Sequence, residues 1–309
     1  MKQIIECVPN ISEGRDAKKI EQMASAVKES PGAFLLDVDS DPDHHRSVIT
    51  FVGDAPSVEK AILALTERAI ELIDLRHHRG EHPRMGAVDV IPFVPIQNAA
   101  MGECIELAKR VGAQIWERFR VPVYLYEEAA TRAERQDLAH IRKGEFERFS
   151  QKILEPDWAP DFGERKIHPT AGVVAVGARM PLIAFNVNLG TSNLEITKKI
   201  ARAVRHSDGG LRYVKALGFA LEERGIVQVS MNMTHYQKTP LFRVYEMIKR
   251  EAQRYGVPVV GSEIVGLVPQ EALNQVADFY LQLESFEPDQ ILENRLAQVQ
   301  AEGQGGKKI

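Results

Sequence analysis

Ala33-Phe34-Leu35-Leu36-Asp37-Val38-Asp39-Ser40-Asp41-Pro42-Asp43-His44-His45-Arg46-Ser47-Val48-Ile49-Thr50-Phe51-Val52-Gly53 contains two apolar, β-rich runs, 33–39 and 47–53. The turn-forming Asp41-Pro42-Asp43 parts them, so the stretch reads as two strands joined by a loop. Upstream, residues 3–8 suit a short strand, and Ile20, Met23, Ala24 and Val27 recur at helical spacing until Ser30-Pro31-Gly32 stops the run. Downstream, Pro56 falls in the first turn of a second helix with the stripe Val58, Ile62, Leu65, Ala69 and Leu72, and Val88 to Phe93 is strand-like again. The order β-α-β-β-α-β is that of a split-βαβ, ferredoxin-like unit, whose helices cover one sheet face and leave the other free for a second layer or a ligand.

Further along, 101–117 reads as a helix, 121–126 as a strand and 138–153 as a helix, after which Trp158-Ala159-Pro160-Asp161-Phe162-Gly163 breaks regular structure and suggests a linker. Strands follow near 172–178 and 182–188, then a helix opened by Ser192 with Glu195 at capping-box spacing and the stripe Ile196, Ile200 and Val204. Strands near 211–219 and 225–232, a helix from Pro240 to about Tyr255 and a strand from Val257 to Ile264 repeat β-α-β-β-α-β with one extra strand in front. The expected class is α+β, with two tandem ferredoxin-like subdomains and mixed or antiparallel sheets. Their expected spans are 1–165 and 170–285; a helix near 269–283 is also expected, and 286–309 should form a C-terminal helix and flexible tail.

Composition bounds the function. A length of 309 residues suits two domains, and 44% hydrophobic with 27% charged residues is the make-up of a folded globular chain. A net charge of −4 gives no general field for nucleic acid. Cys7 and Cys104 form no C-x-x-C pair, so neither a disulfide framework nor a thiolate metal site is supported. No window approaches ~20 continuous apolar residues, and a signal peptide is not evident, so a cytoplasmic protein without a membrane span is expected.

The densest polar cluster is His77-His78-Arg79-Gly80-Glu81-His82-Pro83-Arg84-Met85-Gly86, in a loop with little packing reason to hold three histidines. His78 to His82 also matches H-x-x-E-H, a zinc-hydrolase signature. That spacing needs a continuous helix, which Gly80 weakens and Pro83 disfavours at His82. In the hairpin, Asp37, Asp39 and Asp41 point one way if the strand alternates regularly, either as a cation-facing row or as a solvated turn. A calcium loop fails there, because Pro42 replaces the turn glycine and Val48 the bidentate glutamate. Asn10 and Ser12, at the end of the first strand, either face a ligand or cap the next helix.

Several ordered blocks together resemble the formiminotransferase family, which includes fused formiminotransferase-cyclodeaminases. They are Glu6-Cys7-Val8-Pro9-Asn10 through Ser12-Glu13-Gly14, Leu36-Asp37-Val38-Asp39, Gly80-Glu81-His82-Pro83-Arg84-Met85-Gly86, Trp158 to Gly163, Ala184-Phe185-Asn186-Val187-Asn188, and Val260-Gly261-Ser262 with Gly266-Leu267-Val268-Pro269. The resemblance implies paired ferredoxin-like subdomains, a charged tunnel between them, a catalytic histidine at His82 and a folate-binding stretch along Gly163, Glu164, Arg165, Lys166, Ile167, His168, Pro169, Thr170, Ala171 and Gly172. It also implies formiminoglutamate and tetrahydrofolate as substrates, a homodimer, and a stand-alone form whose product a separate cyclodeaminase would cyclise. The chain departs from the fused members in the turn 41–45, at Glu263 where an amide is usual, and at 165–169, which bears on formimino against formyl preference.

Transfer from formiminoglutamate to folate N5 needs no metal. The donor carbon belongs to a cationic amidinium, the attacking amine must lose a proton and the departing glutamate nitrogen must gain one, so one imidazole, His82, can serve both steps. Because the intermediate is an aminal with no oxyanion, a carboxylate helps, and Asp39 is the candidate. Arg46 and Arg84 are candidates for the glutamate carboxylates, with Asn10, Glu13 and Glu263 as further substrate contacts. The rival readings are a zinc-dependent hydrolase, a folate-dependent glutamate N-formyltransferase, and a ferredoxin-like RNA or regulatory module that lacks the aromatic strand motif of RNA readers.

Overall fold

The hairpin is present as expected: β3 (Phe34–Asp41) pairs antiparallel with β4 (Arg46–Gly53), with a bulge between Leu35 and Asp37. The computed structural model describes residues 2–80 and 83–305, with side chains through residue 299. The first strand is split into β1 (Ile4–Cys7) and β2 (Asn10–Ile11), and both pieces lie between β4 and β5 (Val88–Gln97). Pro9, which cannot donate to a ladder, sits at the interruption. The order β3-β4-β1/β2-β5 is that of a ferredoxin-like sheet.

Two helices cover one face. α1 (Ala17–Lys28) starts at Asp16, whose carboxylate accepts from Lys18 N and Lys19 N, and it buries Ile20, Met23, Ala24 and Val27. α2 (Ala55–Leu72) is capped by Asp54 and buries Val58, Ile62, Leu65 and Ala69, the stripe read from the sequence except for its last member, Leu72, which is partly buried. Both pack on Ile5, Cys7, Ile49, Phe51, Ile91 and Phe93. Each such aliphatic or aromatic side chain contributes about 1.5–3 kcal/mol by leaving water.

The sheet then grows beyond the unit. α3 (Met101–Phe119) leads to β6 (Val123–Glu127), and α4 (Leu138–Arg142) and α5 (Glu145–Lys152) precede β7 (Val174–Ala178). β7 inserts between β5 and β6, parallel to both. The sequence reading put this strand at the head of the second half. Its run Val173-Val174-Ala175-Val176 is apolar on both sides because Val174 and Val176 pack under the helices while Val173 and Ala175 pack on the opposite face, as in a strand buried on both faces. The chain accordingly divides between Met180 and Pro181, later than the irregular segment 158–163 where a linker was expected. The expected helix 138–153 is broken at Lys143-Gly144, where Gly144 has φ +95° and starts α5.

The second unit runs β8 (Ile183–Leu189), α6 (Leu194–Val204), β9 (Val214–Leu221), β10 (Ile226–Met233), α7 (Leu241–Arg254) and β11 (Val259–Val265). Its antiparallel order β11-β8-β10-β9 again matches the ferredoxin-like pattern, so the protein is α+β with two tandem domains. Asn193, one residue beyond the expected Ser192, caps α6 by accepting from Glu195 N. α8 (Gln270–Leu281) and α9 (Leu292–Gly305) follow, the latter continuing into the stretch expected to be a flexible tail. No helix among the described residues is long and apolar enough to cross a membrane.

Candidate active site

Pairing register sorts the polar residues of the first sheet by face. Asn10 and Asp39 are both direct partners of Val48, Asp41 is the partner of Arg46, and Glu6 is the partner of Val52. Directly paired residues share a face and alternate residues share it along a strand, so Glu6, Asn10, Asp39, Asp41 and Arg46 all lie opposite Ile49 and Phe51, away from α1 and α2. Three of the sequence candidates, Asn10, Asp39 and Arg46, are thereby brought onto one surface. Burial, then the like charge of Arg142, lowers Arg46 from the usual arginine range, against the pull of Asp41, Asp39 and Asp89. Arg46 Nε is buried without a hydrogen-bond partner among the described residues, which leaves it a candidate donor for a ligand. Burial likewise raises the Glu6 carboxyl, against the charge of Arg179.

At one end of this surface three glycines let backbones meet. A Cβ on Gly14 would stand 2.3 Å from Asp41 O, on Gly80 2.5 Å from His44 O, and on Gly86 2.1 Å from Val173 O. The segments 13–16, 41–46 and 78–80 therefore converge, and Gly86 meets Val173, although they are far apart in sequence. Glu81 and His82, the latter the expected catalytic residue, lie outside the described residues.

Around that bend the partners are specific. Glu13 is 6% exposed and its Oε1 accepts from Arg15 N, Asp16 N and His45 Nε2 at 3.0, 3.1 and 3.0 Å. His45, with φ +51°, also donates from Nδ1 to Arg79 O at 3.0 Å, so both contacts are made together only when both ring nitrogens carry hydrogen. An open depression beside them is lined by Glu13, Arg15, Asp16, Ala17, Lys18 and His45. Burial by itself would raise the Glu13 carboxyl, but the two backbone N–H donors and His45 outweigh it and hold it below its ordinary value of 4.5. A carboxyl so lowered adds stability above the unfolded-chain value, and this is lost as pH falls through the folded one. Relative to Glu13→Gln, the wild-type urea midpoint should thus be higher at neutral pH and the gap should close below about pH 4.5; a constant gap would refute this.

Arg84, expected to hold a substrate carboxylate, is 5% exposed and committed within the protein. Its five N–H groups go to His78 Nδ1, His78 O, Glu145 Oε2, Glu147 Oε2 and Glu147 Oε1. His78 in turn donates from Nε2 to His45 O at 2.9 Å. With both ring nitrogens engaged, His78 offers no lone pair to a metal, and the H-x-x-E-H reading loses its first ligand.

The stretch 163–172 is laid against the same loop. Leu75 N donates to Thr170 O, Ala87 N to Ala171 O and Val173 N to Met85 O, each at 2.9–3.0 Å. His168 and Gly172 exchange backbone hydrogen bonds, and His168 Nδ1 accepts from Ala171 N at 3.0 Å, while Ile167 packs on the core. Burial lowers His168 from its usual range. Glu164, Arg165 and Lys166 are exposed, as are Gly163 and Pro169. Asp161 just before it is structural: it accepts from Leu125 N, from Thr131 Oγ1 and from the buried Arg135, whose guanidinium lies over the Tyr124 ring. In the second unit Glu263 is exposed on β11 and accepts from Asn186 Nδ2 at 3.3 Å, while Gln228 donates to Asn188 at 2.9 Å.

Sequence reasoning missed Asp89, which is 2% exposed, accepts from Met85 N at 2.7 Å and pairs with Arg142 at 2.5 Å. A lone acid inside the apolar run Val88-Asp89-Val90-Ile91 was the available signal, since a buried charge must be partnered. Glu145 and Glu147 carried none, being ordinary first-turn acids of a helix.

The fold and this cluster define a tandem ferredoxin-like protein with a histidine, arginine and carboxylate network at a proline-containing bend of its first domain. Residues 4–179 match the family model for the formiminotransferase domain, N-terminal subdomain, and residues 184–300 match that for the formiminotransferase domain. The chain belongs to the formiminotransferase family. It is 54% identical over 297 residues to a glutamate formimidoyltransferase of Streptococcus pyogenes serotype M1, covering 96% of this chain and 99% of the relative. It is 51% identical over 295 residues to a glutamate formimidoyltransferase of Thermoplasma acidophilum, covering 95% and 97%. A formimidoyltransferase-cyclodeaminase of Rattus norvegicus is 45% identical over 286 residues, 91% of this chain and 53% of that protein.

Proposed function

We propose that the protein is a glutamate formimidoyltransferase, moving the formimino group of N-formimino-L-glutamate to N5 of tetrahydrofolate, with release of L-glutamate, in histidine degradation and one-carbon metabolism. The observation that carries this is the match of both halves in order, 4–179 and 184–300, with relatives of that name aligned over nearly their whole length. His82 serves as proton shuttle, taking the proton of the attacking amine and returning it to the departing glutamate nitrogen. Arg46 Nε, without a partner among the described residues, supports a substrate carboxylate at Arg46, and Asp39 and Asn10, on the same sheet face, suit the amidinium end. Glu13 is tied to His45, Glu263 is kept as a further substrate contact, and the stretch 163–172 takes the folate. The domain roles follow: a catalytic N-terminal part and a second ferredoxin-like part. A cytoplasmic homodimer working with a separate cyclodeaminase fits a chain whose eukaryotic relatives join the two activities in one polypeptide.

The test is to mix purified protein with formiminoglutamate and tetrahydrofolate and follow folate-dependent glutamate release; absence of release rejects the proposal. Release from N-formylglutamate at a higher rate would favour the formyl reading. For Asp39→Asn, turnover should fall more with the cationic formimino donor than with the neutral formyl donor, by about tenfold for the loss of a charge-assisted contact. Equal losses with the two donors would remove Asp39 from the amidinium site.

A further inference from the structure

The turn that leads into β9 holds a tyrosine in a place suited to glycine. Val214 N donates to Leu211 O at 3.2 Å, closing residues 211–214 into a turn, and Tyr213, its third residue, has φ +70°. A positive φ at that position is the type II arrangement, which glycine or asparagine adopts freely and a bulky side chain adopts under strain. The segment between β10 and α7 pins it there. Thr234 N and Oγ1 both donate to Tyr213 O, at 2.9 and 3.3 Å, and Thr239 Oγ1 donates to Arg212 O at 2.5 Å. A conformation held so firmly against its own preference points to a use for the side chain.

That ring gathers positive charge. The Arg212 guanidinium lies 5.1 Å from its centroid and the Lys238 ammonium 5.4 Å, and Lys238 Nζ donates to the Tyr213 hydroxyl at 3.5 Å. The His235 ring packs against the same phenol at 5.1 Å. Neither Arg212 nor Lys238 makes an ion pair among the described residues, whereas the buried or half-buried Arg84, Arg135 and Arg142 each face a carboxylate. Acids of the adjoining segments are taken, Asp208 by Arg205 and Glu271 by Tyr236 and Gln237. α7, which begins just after Lys238 at Leu241, has neither an acid in its first turn nor a side-chain cap, so its positive end adds to the same field.

We infer that Arg212, Tyr213 and Lys238 form a binding site for a dicarboxylate, in the second domain and independent of the transfer reading above. An aromatic face attracts cations, so one ring can hold two of them near each other without a counter-ion, leaving their charge open to an incoming anion. Two cations from separate segments suit two separate carboxylates better than one compact phosphate. The Arg212 guanidinium can take its carboxylate through two parallel N–H bonds, and the Lys238 ammonium takes the other as a point charge. Both cations are exposed, so salt screens the attraction.

The test uses the full chain labelled with fluorotyrosine, in which the Tyr213 fluorine resonance is the one lost in Tyr213→Phe. At low ionic strength glutarate should shift that resonance saturably, and glutaramide, the same chain without charge, should leave it in place. Arg212→Gln and Lys238→Gln should each weaken glutarate by about threefold to tenfold, the scale of one charge-assisted contact at a screened surface. Inorganic phosphate at matched ionic strength should bind more weakly than glutarate. Tyr213→Gly should melt no lower than wild type, because glycine relieves the turn, whereas a ring kept for packing would be missed. The inference is overturned by a Tyr213 resonance that ignores glutarate, by an equal response to phosphate, by glutarate affinity unchanged in both glutamine variants, or by a lower melting temperature of Tyr213→Gly. None of these outcomes bears on the transfer reading, which glutamate release decides by itself.

Discussion

His82→Ala should fold as the parent does and should lose on the order of a hundredfold or more in kcat, the usual contribution of a general acid and base. The expectation follows from proton inventory. Folate N5 arrives with a hydrogen it must shed, and the glutamate nitrogen leaves only once protonated, so an imidazole removed from the site leaves both transfers to water. Folding is spared because the bend is pinned by His78, Arg79 and Arg84, whose bonds to His45, Glu145 and Glu147 the substitution leaves in place. KM for either substrate should move little if the ring acts, as proposed, on the transition state. Steady-state kinetics decide the matter, and transfer within a few-fold of wild type would reject the assignment.

Why that loop could be picked out in the sequence, and its wiring could not, has a physical explanation. Helical periodicity located α1 and α2, and alternation with a turn located β3 and β4, because those signals are local. The extra placement of β7 was not local: a run apolar on both sides reports burial on both faces but not which sheet supplies it, and only the parallel pairing with β5 and β6 settles that. At the site, chemistry-bearing residue types were visible as a cluster, yet their partners come from distant segments. Arg84 drew notice as a cation beside a catalytic motif, whereas Glu145 and Glu147 of a helix about sixty residues later, together with His78, occupy all its N–H groups. His45, given no role of its own in the sequence reading, joins Glu13 to Arg79. Arg46 and Asp39 ended on one face because they alternate in step on paired strands, which is why the aspartate row survived the bulge at Leu36: the bulge precedes Asp37, and regular pairing holds from there to Asp41.

The glycines of the motif lead to the second large expectation, on stability. Gly172→Ala should lower the melting temperature of the first domain by about 10 °C. Gly172 has φ +69°, a conformation costing an L-residue roughly 1–2 kcal/mol, and its added Cβ would stand 2.1 Å from Met85 O. That neighbour is backbone and is held by Val173 N at 3.0 Å, so relief requires parting the strand 172–174 from the loop 85–87, an overpacking cost of about 1–3 kcal/mol. The sum, about 2–5 kcal/mol, translates at ~2–4 °C per kcal/mol for a domain of this size. Gly102→Ala is the matched control. Gly102 lies exposed in the first turn of α3 with nothing within 4 Å of its Cβ position, and alanine there should change stability by less than about 1 kcal/mol, in the stabilising direction. Because Gly172 ends the stretch assigned to folate, Gly172→Ala should also raise KM for tetrahydrofolate more than for formiminoglutamate. Calorimetry of the two alanine variants separates strain from a general intolerance of added methyl groups: similar melting temperatures for both would mean that the approach of Gly172 to Met85 is not what fixes this part of the fold.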